Sequence, residues 1–394
     1  MGLPVEPAPA QPGQAPASED AVKVLITSDA AGGVGVHAGV LARALQARGH
    51  EVTVVVFGAK CASQTHSTSG FTPLTWIDAP FGLEWQSQRE SAALASETEA
   101  GQRFLTAVLH ERSIELLHSN QFAWAGCGGL PALLAVHSDV VSWWRAVHHT
   151  APPDNPFQRW YRGLALEALR RAAMVVAPTR AALADLRLSF NFEGGCVIPN
   201  GTDTPEMAGG ARQGAISVGR LWDEGKQAHL LWDCDLPLPT IVAGDDGGRP
   251  LPRHPHLQTV GVLSPLEIRR LFSRSLLYVA TSRYEPFGLA PLEAARAGCC
   301  LLLNDLPSFR EIWHRSAYYF RRDDPADLQR QLCRLAADPA LTAAGAAAAG
   351  LRARAYSAPV MAMAYETLYY QLLSRRNASV VKTHSAPPQV TATF

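Results

Sequence analysis

Short apolar runs alternate with longer amphipathic segments along most of the chain. The runs are mainly aliphatic and are bounded by Gly, Pro, Asp or Asn. Runs that are apolar throughout are typical of parallel strands buried on both faces, whereas half-exposed strands alternate. The runs that predict strands are 22–27, 52–57, 114–118, 130–136, 174–177, 196–199, 215–219, 240–243, 257–260, 276–280, 299–303 and 318–320.

The segments between these runs have helical periodicity, and several carry start signals such as Thr179 and Ser264 at the N-cap position. A further helix carries Glu311, which we interpret as structural. Strands and helices that alternate over 394 residues predict two α/β domains. The predicted helices are 36–48, 84–111, 157–172, 179–190, 265–273, 289–297, 325–337, 341–355 and 359–373.

Composition shifts divide the chain into five parts. Gly209, Gly210 and Gly214 give a hinge composition between the two predicted domains. The ends are rich in Pro, Ser, Thr and Ala, which is typical of disorder. We therefore expect a disordered tail at 1–20, a first domain at 21–205, a second domain at 206–355, a last helix at 356–376 and a flexible tail at 377–394.

The stretch 282–298 spans a predicted strand end, a turn and a helix. Backbone N–H groups near Gly288 and Leu289 would point out of the carboxyl end of the sheet, where a helix N-terminus favours an anion such as phosphate. Glu285 on the turn and Glu293 in the helix offer carboxylates, which suit the vicinal hydroxyls of a ribose or a hexose. The pattern favours a phosphorylated sugar compound. The alternative is that Glu285 is a helix-cap acid and Glu293 a solvated helix residue.

A glycine-rich turn follows the first predicted strand. Gly33 and Gly35 would let a phosphate approach the backbone closely, and 33–38 match a loose dinucleotide fingerprint. The next strand, however, ends in Gly-Ala-Lys, with Lys60 near the place where a dinucleotide-binding domain carries an acid for the ribose. The pattern therefore disfavours a nicotinamide oxidoreductase. Gly33 and Gly35 are candidates for ligand contact, with a structural tight turn as the alternative.

Three more polar side chains follow predicted strands. Arg220 and Lys226 could neutralise a diphosphate, although charged residues in a solvated turn are the plainer alternative. His137 lies where ligands bind in open α/β sheets and could exchange hydrogen bonds with a sugar hydroxyl, although a lone His is more often structural. Trp143 and Trp144 could be core residues or could form a stacking surface for an acceptor, and the sequence does not separate these two roles.

The sequence Glu-Pro-Phe-Gly-Leu at 285–289, with a second Glu at 293, resembles the two-glutamate motif of retaining GT-B glycosyltransferases of family four. The resemblance implies that Glu285 faces the donor sugar and that Glu293 holds the nucleotide ribose. It also implies that His137 contacts the donor sugar, with Asp139 as a lesser candidate.

The segment Gly-Arg-Leu at 219–221, followed by a Lys, is similar to the family's diphosphate-binding pair, with the Lys one residue later than in many members. The catalytic residues implied are His137, Glu285, Arg220 and Lys226. The donor-binding residues implied are Gly33, Gly35, Arg220, Lys226, Glu285, Phe287, Gly288, Leu289 and Glu293.

The resemblance runs from about 22 to 373 and is weakest at 60–111. It implies a GT-B fold, in which two Rossmann-like doubly wound parallel-sheet domains face a central cleft. The first domain would lie on the acceptor side, the second would bind the donor, and the last helix would cross back to the first domain. The long polar insertion at 59–82 is where we expect acceptor contacts.

The reaction implied is transfer of a sugar from a UDP-, GDP- or ADP-sugar to a hydroxyl of a saccharide, lipid or small metabolite, with retained anomeric configuration. No metal and no cofactor are implied, because the nucleotide-sugar is a substrate. A non-catalytic nucleotide-sugar-binding protein is the alternative. A phosphorylase-like enzyme would need a cofactor-bearing Lys, for which no motif is found.

Charge and cysteine content narrow the setting. Lys plus Arg and Asp plus Glu both number 35, so nothing suggests a nucleic-acid partner. Seven Cys without a CxxC pair predict neither disulfides nor structural zinc, and favour the cytoplasm. The adjacent His148 and His149 have no acidic partner at metal-ligand spacing. The start lacks the features of a signal peptide and no apolar run is long enough to span a bilayer, while peripheral membrane contact stays open.

Overall fold

The computed structural model describes residues 21–30, 32–58, 74–86, 91–206 and 210–384. The predicted tail at 1–20 and the end of the predicted tail at 377–394 lie outside the described residues. Most of the polar insertion at 59–82 and Gly209 of the predicted hinge also lie outside them.

The first domain is a seven-stranded parallel sheet with helices on both faces. The strand order is β3-β2-β1-β4-β5-β6-β7, so the direction of winding reverses between β1 and β4. The strands are β1 Lys23–Asp29, β2 Glu51–Phe57, β3 Thr75–Asp78, β4 Leu116–Ser119, β5 Ala132–Ala135, β6 Met174–Ala177 and β7 Cys196–Val197. The helices are α1 Gly33–Gln46, α2 Ser91–Glu111, α3 Val140–His148, α4 Pro156–Arg171 and α5 Arg180–Phe190.

The second domain repeats this plan with a six-stranded parallel sheet. Its order is β10-β9-β8-β11-β12-β13, and the winding reverses between β8 and β11. The strands are β8 Ala215–Val218, β9 Thr240–Ala243, β10 Leu257–Gly261, β11 Leu277–Ala280, β12 Cys300–Asn304 and β13 Tyr318–Phe320. The helices are α6 Pro265–Arg274, α7 Leu289–Arg296, α8 Pro307–Trp313, α9 Pro325–Ala337, α10 Pro339–Ala353 and α11 Ala358–His384.

Most of the predicted strands are buried because helices cover both faces of each sheet, whereas the edge strand β10 is largely exposed. In β1 every residue except the first is buried, and β1 pairs with β2 from Lys23–Glu51 to Asp29–Phe57. The pattern missed β3, an edge strand that is mostly half-buried and lacks an apolar run. It also missed α3, and the predicted helix at 84–111 begins only at Ser91.

The chain crosses between the domains twice, and the two crossings touch. The backbone N–H of Thr202 donates to the carbonyl of Tyr356 at 3.0 Å, and that of Ala358 donates to the carbonyl of Thr202 at 3.0 Å. Gly201 is needed here, since a Cβ would lie 2.5 Å from the carbonyl oxygen of Ser357. After this crossing α11 packs on the first domain and extends beyond 373, where the sequence pattern places its end.

Other contacts tie the carboxyl edges of the two sheets together. Thr179, the N-cap of α5, donates its hydroxyl to the carbonyl of Pro286 at 2.9 Å. The carboxylate of Glu311 in the second domain accepts from the backbone N–H groups of Arg180 at 2.8 Å and Ala181 at 3.0 Å. The two domains therefore face each other across their strand ends, where ligands bind in doubly wound sheets.

Candidate active site

Arg220, Lys226 and Glu285 lie together at the reversal point of the second sheet. Arg220 follows β8, and its guanidinium Nη2 lies 2.7 Å from Oδ2 of Asp223. Lys226 is in the following turn, and its Nζ lies 2.5 Å from Oε2 of Glu285, which follows β11. These side chains are partly exposed, so two cations and one carboxylate are available at this edge.

The turn after Glu285 leads into α7 through a left-handed glycine. Gly288 has φ 92° and caps α7 without a side chain, and a Cβ would lie 2.8 Å from the ring of Phe309. Leu289 begins α7 and faces Gly33 of the first domain, where a Cβ would lie 3.8 Å from the Leu289 side chain. The first-turn N–H groups of α7 therefore border the cleft between the domains. Such groups attract anions.

Phe287 and Gly35 have a different environment from the other predicted donor-binding residues. The Phe287 side chain is buried in the core of the second domain, with its ring centroid 5.8 Å from that of Tyr356. Gly35 lies inside α1, and a Cβ there would lie 2.8 Å from the carbonyl oxygen of Asp29. Both residues shape the turns, and neither presents a side chain to a ligand.

The environment of Glu293 differs from that of the Lys226–Glu285 pair. It lies within α7 and is partly buried, and burial raises the pKa of its carboxyl to about 7. Arg269 lowers this pKa and Asp203 raises it. The interpretation of Glu293 as a fully solvated helix residue does not agree with this environment.

His137 follows β5 and is held by Asn120, which follows β4. Nε2 of His137 lies 2.9 Å from Oδ1 of Asn120, while Nδ2 of Asn120 donates to the carbonyl of Thr27 at 2.6 Å. Because the amide nitrogen is committed to Thr27, Oδ1 must accept, so the His137 proton lies on Nε2 and Nδ1 keeps a lone pair. Burial lowers the pKa of His137 to about 4, so the ring is neutral near pH 7.

Two more buried histidines lie behind His137. The ring of His37 is 4.2 Å from that of His137, and its nitrogens have no hydrogen-bond partner among the described residues. Nδ1 of His118 lies 2.6 Å from the hydroxyl of Tyr369 on α11. Burial lowers the pKa values of His37 and His118, the latter to about 3. The floor of the site beside β1 and β4 is therefore aromatic and uncharged at neutral pH.

The reversal point of the first sheet holds polar residues that sequence reasoning missed. Asp29 ends β1, and its Oδ1 accepts from Nε2 of Gln121, 92 residues away, at 2.6 Å. Burial raises the pKa of Asp29 to about 6, while hydrogen bonds from Gln121 and Trp85 and the charge of Arg220 lower it. Gly33, which follows β1, lies opposite Leu289 of the second domain, so the two reversal points face each other. Asp29, Asn120 and Gln121 each stand just past a predicted strand, a signal that could have indicated them.

Asp139 and Trp143 have structural roles at the rim. Asp139 is the N-cap of α3 and accepts from the backbone N–H of Ser142 at 2.7 Å, while burial raises its pKa to about 6. The indole Nε1 of Trp143 donates to Oδ1 of Asp223 at 3.1 Å, across the domain boundary. Trp143 therefore links α3 to the turn that carries Arg220.

Trp144 and His148 lie beside that link, with ring centroids 4.1 Å apart. Within the described ranges, no three His, Cys, Asp or Glu side chains are grouped so that they could hold a metal ion. Of the helices in the part of the chain that the structure describes, none has an apolar segment long enough to cross a bilayer.

Comparisons with known proteins cover both halves of the chain. The family model described as Glycosyltransferase Family 4 matches residues 31–206, and the model described as Glycosyl transferases group 1 matches residues 254–350. A curated relative, the serotype-specific mannosyltransferase WbdA of Escherichia coli, is 27% identical over 209 residues. That match covers 50% of this chain but only 23% of the relative.

Solved structures show the same architecture. Sucrose-phosphate synthase from Thermosynechococcus elongatus superposes with a TM-score of 0.72 at 18% identity, covering 89% of this chain and 99% of that one. Anabaena HepE in complex with UDP and glucose superposes with a TM-score of 0.66 at 17% identity, covering 89% and 100%. The predicted fold, two Rossmann-like parallel-sheet domains in the GT-B arrangement, is confirmed. The two family models and this shared architecture show that the chain belongs to the family 4 glycosyltransferases of the GT-B type.

Proposed function

We propose that the protein transfers a sugar from a nucleotide-diphosphate-sugar to an acceptor hydroxyl, with retained anomeric configuration and without a metal ion. The observation that carries this proposal is the cluster of Arg220, Lys226 and Glu285 beside the start of α7. Two cations and a helix N-terminus at one strand edge suit a diphosphate. The donor could then be bound without a bridging metal.

The donor would lie along the second domain. Arg220, Lys226 and the N–H groups after Gly288 would hold the diphosphate, and Glu293 would accept hydrogen bonds from the ribose hydroxyls. Two other complexes of HepE contain UDP and UDP-glucose, and the curated relative is a mannosyltransferase. UDP-glucose and mannosyl donors are therefore the first to test.

The groups at the donor site suit a front-face transfer. The acceptor oxygen would form a bond to the anomeric carbon on the side from which the diphosphate leaves. The anomeric carbon–oxygen bond would break with both electrons on the diphosphate, which would take the acceptor proton. Arg220 and Lys226 would stabilise the growing negative charge, a role worth about 3 kcal/mol per donor group in comparable sites.

His137 and Glu285 would orient the donor sugar. Nδ1 of His137 keeps a lone pair that could accept a hydrogen bond from a sugar hydroxyl, because Asn120 holds the proton on Nε2. Glu285 is paired with Lys226, which lowers its nucleophilicity and favours a binding role over a covalent one.

Nucleotide release from UDP-, GDP- and ADP-sugars tests the proposal. We expect release from one donor, its persistence in excess EDTA, and its loss in Arg220→Ala and Lys226→Ala. Arg103→Ala is the matched control, because Arg103 lies on the exposed surface of α2. Donor binding without release in the presence of an acceptor mixture would favour a binding protein.

The stereochemistry needs a separate measurement. The anomeric configuration of the product by proton NMR should match that of the donor. An inverted product, or a sugar covalently trapped on Glu285, would contradict front-face retention.

A further inference from the structure

The reversal point of the first sheet carries an aromatic and polar group that donor binding does not use. Asp29 ends β1, Gln121 follows β4, and Trp85 lies in the segment after β3. Gln121 donates to Asp29 at 2.6 Å, and the nearby indole of Trp85 helps to lower the pKa of this carboxylate. Three segments distant in sequence therefore meet around one carboxylate.

Two contacts anchor the residues that precede Trp85. The neighbouring Glu84 is buried, and its Oε1 accepts from the backbone N–H of Phe122 at 2.8 Å. The backbone N–H of Gly58 donates to the carbonyl of Phe81 at 2.9 Å. Trp85 is nevertheless 37% exposed, unlike the fully buried Trp124 nearby. A large indole held in place and left open is available for contact with a ligand.

This group faces the donor site. Gly33, just after β1, lies against Leu289 at the start of α7, and the charge of Arg220 helps to lower the pKa of Asp29. A molecule resting on Trp85 and Asp29 would therefore lie beside the place proposed for the donor diphosphate. An acceptor must occupy such a position for its hydroxyl to reach the anomeric carbon.

The side chains of Trp85, Asp29 and Gln121 favour a sugar ring as their ligand. A pyranose has an apolar face of C–H groups that packs on an indole, and equatorial hydroxyls that bind planar carboxylate and amide groups. A phosphate here would lie against the carboxylate of Asp29, while Arg220, the cation that reaches Asp29, is engaged at the donor site. Like charges at this distance disfavour binding.

We infer that Trp85, Asp29 and Gln121 form the acceptor subsite, and that the acceptor presents an uncharged sugar ring to it. This inference rests on the proposed function, because only a transferase needs an acceptor at this position. It names the acceptor class as a saccharide whose reacting residue carries no phosphate.

Saturation-transfer NMR on the full chain loaded with UDP tests the subsite. The probes are methyl α-D-mannopyranoside, methyl α-D-glucopyranoside, mannose 6-phosphate and glucose 6-phosphate. We expect saturation of the methyl glycosides, strongest on the C–H groups of one ring face, and weaker signals from the phosphates. Trp85→Ala should weaken glycoside binding by about threefold to tenfold, whereas Trp85→Phe should retain most of it.

Further variants separate the subsite from a general loss of structure. Asp29→Asn should also weaken glycoside binding. Because this substitution removes the negative charge, it should reduce the difference in affinity between the methyl glycosides and the sugar phosphates. Leu188→Ala removes an exposed apolar side chain on α5 and should leave glycoside binding unchanged. The affinity for UDP and the melting temperature of each variant report on the donor site and on folding.

The outcomes distinguish the subsite from the proposed function. The subsite is overturned if the unaltered protein, Trp85→Ala and Asp29→Asn bind the glycosides equally well. It is also overturned if the protein prefers the sugar phosphates or binds no glycoside at all. Absence of nucleotide release from every donor overturns the proposed function. Glycoside binding that depends on Trp85 would then support a sugar site and overturn its role in transfer.

Discussion

Glu293 gives the sharpest test, because the same carboxyl is expected to weaken the fold and to bind the donor. Burial in α7 raises its pKa from 4.5 to about 7. Below pH 4.5 the carboxyl is protonated in both the folded and the unfolded chain, so it carries no penalty. Between pH 4.5 and 7 the unfolded chain releases the proton while the folded chain retains it, so stability falls as pH rises and the loss is complete above pH 7.

The size of the penalty follows from the change in pKa. A rise from 4.5 to about 7 corresponds to about 3 kcal/mol for a group fully removed from water. Glu293 is only partly buried, so solvent screening reduces this to about 1–2 kcal/mol. Glu293→Gln cannot ionise and should therefore be more stable than the unaltered protein at pH 8, by about 2–8 °C in melting temperature.

The assay compares thermal unfolding at pH 8 and near pH 4. We expect the stabilisation by Glu293→Gln at pH 8 and its disappearance near pH 4. The control is Glu193→Gln, because Glu193 lies exposed after α5. Equal melting temperatures of the two variants at pH 8 would refute the argument from burial.

The same variant reports on the proposed ribose contact. A hydrogen bond to a charged group contributes about 1.5–3 kcal/mol, so Glu293→Gln should bind the donor nucleotide about tenfold to a hundredfold more weakly. Isothermal titration with the nucleotide identified by the release assay measures this. A stabilised variant with unchanged nucleotide affinity would refute the ribose contact and leave the burial argument intact.

Three further predictions concern the histidine floor and the α7 turn. Asn120→Asp places a carboxylate beside Nε2 of His137 and should raise the pKa of that imidazole, so the acid limb of the pH–rate profile should move upward; an unchanged profile would contradict this. His37→Phe removes a buried imidazole whose pKa is lowered in the folded protein. Between pH 7 and pH 5, the melting temperature of this variant should therefore fall less than that of the exposed control variant His110→Phe. Equal losses in melting temperature would contradict this expectation. Gly288→Ala should lower stability by about 1–2 kcal/mol in urea unfolding, because φ is 92° and a Cβ meets two side chains at 2.8 Å; unfolding like that of the unaltered protein would show that the turn can adapt.

Local pattern alone predicted two α/β domains with buried parallel strands, and it indicated candidate ligand-binding residues after several of those strands. The resemblance to family four implied the GT-B arrangement. Strands buried on both faces must be apolar throughout, so runs such as 22–27 and 276–280 stand out without knowledge of the fold. The motif containing Glu285 and Glu293 lies on one short strand-turn-helix unit, and its residues are neighbours in sequence. The edge strand β3 escaped notice because it is half-exposed and has no such run.

The remaining site residues became visible only in the tertiary structure. Asp29 and Gln121 are 92 residues apart, and the indole of Trp85 reaches the same carboxylate from a third segment. Their meeting depends on strand order, which no local period in the sequence specifies, since a strand carries the same pattern wherever it stands in a parallel sheet. The raised pKa of Glu293 likewise depends on what packs around α7. The sequence by itself determined most of the elements and the residues that follow them, and the tertiary structure decided which of those residues lie together.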